Sequence, residues 1–120
     1  VVVLPTFNGA PTIVLTEWKV AVASTMKAGA FDFAITNSGT IPHELLIFES
    51  KLDVAAYPTQ SSGAIDEEGA GVALVSDGEN IDPGGSQQRK ITLKPGKYLF
   101  VCNIPGHFPQ GMYTAVTLTP

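Results

Sequence analysis

Residues Leu93–Tyr113 read LKPGKYLFVCNIPGHFPQGMY. A turn, a strand and a loop of unusual chemistry follow one another in this stretch. Lys94, Pro95 and Gly96 accept turn dihedrals at low cost, so the chain makes a tight reversal there. The apolar run KYLFVC reads as a strand over Lys97–Cys102, and the loop after it returns to a strand over Tyr113–Thr119. Within the loop, Cys102, His107 and Met112 fall at even gaps, C-x4-H-x4-M. The whole chain has one cysteine, two histidines and two methionines, so this clustering demands an explanation. Pro105 and Pro109 restrict the loop, and Gly106 and Gly111 admit tight or left-handed turns, so side chains can be aimed before any ion arrives.

Outward from this unit, the same strand signature recurs. In AFDFAIT, Phe31, Phe33 and Ile35 share one face at period two while Asp32 and Thr36 take the other, as in a strand with one buried face. Further strands are expected at about Thr12–Val22, Ala30–Thr36, Glu44–Glu49, Gly71–Ser76 and Gln87–Leu93, and the opening VVVL is a candidate for another. Turn residues at Lys27–Gly29, Asn37–Gly39 and Asp82–Gly85 support the breaks. About eight short strands and no long stripe at helical period indicate an all-β, two-sheet sandwich, because one open sheet would leave an apolar face wet. Residues 50–70 differ, being polar and irregular; they are expected to cross between the sheets, with a short helical turn near Val54–Tyr57. Asp66, Glu67 and Glu68 read as a solvated acidic loop. Met26, in the turn STMKAG, reads as packing or surface.

Composition bounds the function. The 120 residues suit a single domain over 1–120. No apolar run approaches the roughly 18 residues of a membrane span. A leader or anchor removed earlier would leave no trace, so an exported, membrane-tethered form stays open. Eleven acidic against seven basic residues give a net charge of −4, which offers no positive field for nucleic acid. One cysteine cannot form an internal disulfide, and zinc patterns with paired cysteines are excluded.

Thiolate, thioether and imidazole together select copper, and two histidines with one cysteine and a weak axial methionine define the blue-copper electron-transfer site. The loop supplies Cys102, His107 and Met112. The only other histidine, His43 in NSGTIPHELLIF, supplies the fourth, entering from the extended approach that Pro42 imposes on Ile41. Taken singly, each residue has an ordinary reading as a packed thiol, a hydrogen-bonded imidazole or a core thioether. Their joint placement outweighs these. A cysteine–histidine nucleophile would need an orienting group and a substrate pocket, and would leave the methionine idle. No enzyme activity is therefore expected.

At AITNSGTIPHELLIF, LKPGKYLFVC and CNIPGHFPQGM the sequence resembles the cupredoxins, the small blue copper proteins of the plastocyanin/azurin family. Its ligand loop looks most like the rusticyanin type. The resemblance implies a Greek-key β-sandwich and one mononuclear copper held by His43, Cys102, His107 and Met112. It also implies Cu(I)/Cu(II) electron shuttling with redox partners such as a cytochrome or oxidase, docking near His107, Phe108 and Pro109. A monomer in the periplasm or elsewhere outside the cytoplasm is expected. A copper carrier or storage protein, or the cupredoxin domain of a larger redox protein, is the alternative. One departure stands out. Such proteins commonly carry asparagine after the first histidine, pinning the cysteine segment; here the residue is Glu44, expected to point outward, with Asn103 or Asn37 as substitutes for the missing bond.

Overall fold

Alternation at period two decides both sheets. The structure, a computed structural model, describes residues 11–120; the VVVL segment lies outside them. Among these residues the chain forms nine strands and two short 3-10 turns. The strands are β1 (Thr12–Thr16), β2 (Lys19–Ala21), β3 (Thr25–Lys27), β4 (Gly29–Asn37), β5 (Leu46–Glu49), β6 (Ala73–Ser76), β7 (Ser86–Leu93), β8 (Gly96–Val101) and β9 (Tyr113–Thr119). They build a four-stranded sheet, β2-β1-β4-β7, and a five-stranded sheet, β3-β9-β8-β5-β6. This is the two-sheet sandwich that the sequence implied.

The inner faces meet in one apolar core. Phe31, Phe33 and Ile35 of β4 are at most 1% exposed. Phe33 meets Phe100 of β8 edge to face across the sandwich at 5.6 Å, a favoured aromatic geometry. Phe31 stacks on Phe33 at 4.8 Å. Cys102 and Met112 belong to this same core, so the loop chemistry sits at one end of the packed interior.

Several expected boundaries differ, each for a physical reason. The strand expected over Thr12–Val22 is two strands, β1 and β2, paired antiparallel with Thr16 opposite Lys19. The turn between them is Glu17–Trp18, residues without turn propensity, and Trp18 takes a left-handed φ of 65°. That conformation costs a non-glycine residue about 1 kcal/mol or more. Met26 lies in β3 rather than in a turn, and packs partly buried against the core. The reversal at Lys94–Gly96 is tight, but it joins β7 of one sheet to β8 of the other.

The irregular segment at 50–70 is present and includes the expected helical turn, Val54–Ala56. It joins β5 to β6, neighbours in one sheet, and so crosses that sheet's outer face instead of passing between the sheets. Tyr57 and Ile65 from the segment pack there with Leu46, Phe48, Leu99 and Val101. The acidic cluster lies in this segment, with Glu67 and Glu68 exposed. The Asp66 carboxylate accepts the Glu68 N–H at 3.1 Å, closing a local turn.

Candidate metal centre

His43 enters the site from the connection between β4 and β5, and two devices fix that connection. Its backbone pairs with Ile81, the His43 N–H donating at 3.2 Å and the His43 carbonyl accepting at 2.7 Å. The buried Asn37 amide donates to the carbonyls of Ile41 at 2.9 Å and Ile81 at 2.8 Å, and its oxygen accepts the Gly39 N–H at 2.9 Å. Regular pairing begins only at Leu46, so the strand expected from Glu44 starts two residues later. His43 is held by this frame at 0% exposure.

Cys102, also fully buried, follows the last residue of β8. Its N–H donates to the Met112 carbonyl at 3.1 Å, and the Met112 N–H donates to the His107 carbonyl at 3.4 Å. Both ends of the loop are thereby drawn together. A 3-10 turn, Phe108–Gln110, follows His107, and Gly111 closes it in the left-handed region at φ 94°, where a side chain would be strained. The structure thus brings Cys102, His107 and Met112 to the same end of the core as His43.

The donor atoms converge. Cys102 Sγ lies 3.3 Å from His107 Nδ1 and 3.9 Å from His43 Nδ1, and the two Nδ1 atoms are 3.3 Å apart. A first-row metal with bonds of about 2.0–2.3 Å in a trigonal plane needs ligand edges of about 3.5–3.7 Å, so this triangle fits one ion. The set is two imidazole nitrogens and one sulfur, and Met112, fully buried, is tied to Cys102 and His107 by backbone hydrogen bonds; such softness suits copper.

Electrostatics agree with a cation site. Burial pushes the Cys102 thiol up, opposed by the backbone N–H groups of Glu44 and Ile104; the Glu44 N–H reaches Sγ at 3.4 Å. Burial, then the neighbouring His43, lowers His107, keeping its imidazole neutral. A buried thiol beside imidazole nitrogens can trade its proton for a metal ion.

Glu44 does not point outward. Its carboxylate is half-buried, and burial with the nearby Asp77 and Glu67 carboxylates pushes it up to about 7, opposed by the backbone N–H of Asn103 on the cysteine segment. Toward the cysteine segment, Glu44 makes one hydrogen bond, from its backbone N–H to Cys102 Sγ at 3.4 Å. The Asn103 side chain instead grips the irregular segment: its oxygen accepts the Ile65 N–H at 2.8 Å, and its amide donates to the Ile65 carbonyl at 3.1 Å and to Glu67 at 3.2 Å.

Two neighbours of the site carry no motif in the sequence. Glu17 Oε1 lies 2.9 Å from His43 Nε2, and the Trp18 ring meets His107 edge to face at 5.2 Å. Phe108 is partly buried against Tyr113, their rings 5.4 Å apart.

Fold and site together define a small β-sandwich with a soft mononuclear metal centre at one end. The chain belongs to the plastocyanin/azurin family of copper binding proteins, whose family model matches residues 20–119, and its cofactor is one copper ion. Reduced auracyanin from the photosynthetic bacterium Roseiflexus castenholzii is similar at 24% identity and a TM-score of 0.67, over 93% of this chain and all of that one. Reduced rusticyanin is similar at 17% identity and a TM-score of 0.60, over 94% of this chain and 83% of that one. A multicopper oxidase from Campylobacter jejuni has the fold at 17% identity and a TM-score of 0.61, but this chain covers only 31% of it. No curated protein sequence matches the chain.

Proposed function

We propose that this is a blue copper electron-transfer protein whose copper ion would be held by His43, Cys102, His107 and Met112. Bound there, copper supplies a one-electron Cu(I)/Cu(II) couple. The observation that carries the reading is the Sγ–Nδ1–Nδ1 triangle, with edges of 3.3, 3.3 and 3.9 Å. Its donors are buried, which excludes water, and hydrogen-bonded backbone frames them on both sides. Such preorganisation lets the ligands keep one arrangement in both oxidation states. Both histidines of the chain belong to this cluster, so no second, histidine-rich copper site of the oxidase kind can be drawn from it, and the reading is not enzymatic. The copper-loaded, oxidised protein should show a strong visible thiolate-to-copper absorption that Cys102→Ser abolishes. A colourless copper complex would overturn the assignment.

The electron partner, a redox protein such as a cytochrome or an oxidase, is proposed to dock beside His107, Phe108 and Pro109. Pro109 is exposed and Phe108 partly so, offering apolar contact next to a ligand. Phe108→Asp should slow electron exchange with a partner while leaving the visible band intact; unchanged stopped-flow kinetics would discard this face. The compartment is proposed to be extracytoplasmic, in keeping with the family. Among the described residues no helix is long and apolar enough to cross a membrane.

A further inference from the structure

We propose that Glu17 is a positioning residue of the copper site, holding the His43 imidazole through Nε2 so that Nδ1 stays turned toward Cys102 Sγ. This rests on the copper reading above. A carboxylate only accepts hydrogen bonds, so Oε1 at 2.9 Å from Nε2 places the imidazole proton on Nε2. The Nδ1 lone pair is thereby left for a metal. Carboxylates bonded to the far nitrogen of a ligating histidine fix its tautomer and raise its basicity.

The carboxylate is itself fixed. It accepts the Thr40 N–H at 2.8 Å, the Ile41 N–H at 3.3 Å and the Thr40 hydroxyl at 3.4 Å, all from the loop that leads to His43. Gly39 makes room for the pair: a Cβ there would lie 2.2 Å from Glu17 Oε1 and 2.9 Å from His43 Nε2. The turn that delivers Glu17 breaks local rules. Two-residue hairpin loops favour Asn-Gly and its kin, yet this one is Glu17–Trp18 with Trp18 left-handed. Local rules fail most often at functional sites. Here the same turn sets Trp18 edge-on against the other imidazole, His107, so one unfavourable hairpin steadies both nitrogens.

The test reads His43 without and with metal. In the copper-free full chain at about pH 8, where an ordinary imidazole is neutral, 15N NMR should show a single His43 tautomer protonated at Nε2. Glu17→Ala should give mixed tautomers and about 10–100-fold weaker Cu(II) binding in chelator competition. Glu17→Gln, whose amide oxygen still accepts, should restore the tautomer and most of the affinity. A folded Glu17→Ala protein with the tautomer and affinity of the parent overturns the proposal. Should that variant fail to fold, Gly39→Ala decides: it keeps every charge but displaces the carboxylate, and an unchanged tautomer there overturns the proposal equally. Failure of the parent chain to bind copper or turn blue would sink the copper reading instead, while the tautomer would still report on Glu17.

Discussion

Glu44 shows how one side chain next to a ligand shapes the copper-free protein. Its carboxyl is pushed from an ordinary 4.5 up to about 7 by burial and by Asp77 and Glu67, so the fold prefers the protonated form. The stabilisation is complete below about pH 4.5 and is lost as pH rises through about 7, on the order of 1–3 kcal/mol for a half-buried group. Urea unfolding of copper-free protein from about pH 4 to about pH 8 should show the parent falling relative to Glu44→Gln across this window. A flat difference would mean that the carboxyl is not held as described. The four ligand candidates were legible because cysteine, histidine and methionine are rare here and three of them share one loop. Glu44 was misread because strand alternation was extended to it, whereas His43–Leu45 lies outside regular pairing. Glu17 was unreadable: it is a common residue type, and only the β1–β4 pairing carries its turn to His43.

At the level of elements, the irregular segment and the ligand loop are stitched by one amide. Asn103, 5% exposed, completes both backbone groups of Ile65 as a neighbouring strand would. Asn103→Ala would strand a buried N–H and carbonyl, so a loss of about 2–3 kcal/mol in urea melts of the copper-free protein is expected. A change under about 0.5 kcal/mol, the size of ordinary surface substitutions, would show that water replaces the amide. Strand identity was legible wherever alternation was clean, as in β4, with Phe31, Phe33 and Ile35 inward. The β1–β2 break was hidden because Glu17 and Trp18 are not turn formers, and TIVLTEWKVAV therefore reads as one alternating run. β3 was hidden for the opposite reason: three residues flanked by turn formers carry too short a pattern, and their partner is remote in the sequence.

On the scale of the whole molecule, core and metal centre are separable. The apolar interior runs well beyond the donor triangle, so the copper-free chain should remain folded, and metal should add stability by mass action. Free copper at about 100 times its dissociation constant gives about 2.7 kcal/mol, read as a rise in thermal midpoint that a chelator reverses. No rise on loading would mean that copper binds folded and unfolded chains alike, against a preformed triangle. The sandwich as a whole was legible because strands of this length, each with one apolar face, have few ways to bury it; which strands neighbour which was not, since pairing partners leave no local mark.

Thr25 is paired with Thr117 in parallel, and β9 with β8 stands between β3 and β5 in their sheet. A ribosome delivers Thr117 only after every strand from β3 to β8 has been made. Half the sandwich therefore waits for its middle: β3 and β5 leave the ribosome before the two strands that join them, and their sheet stays open until β9 has been made.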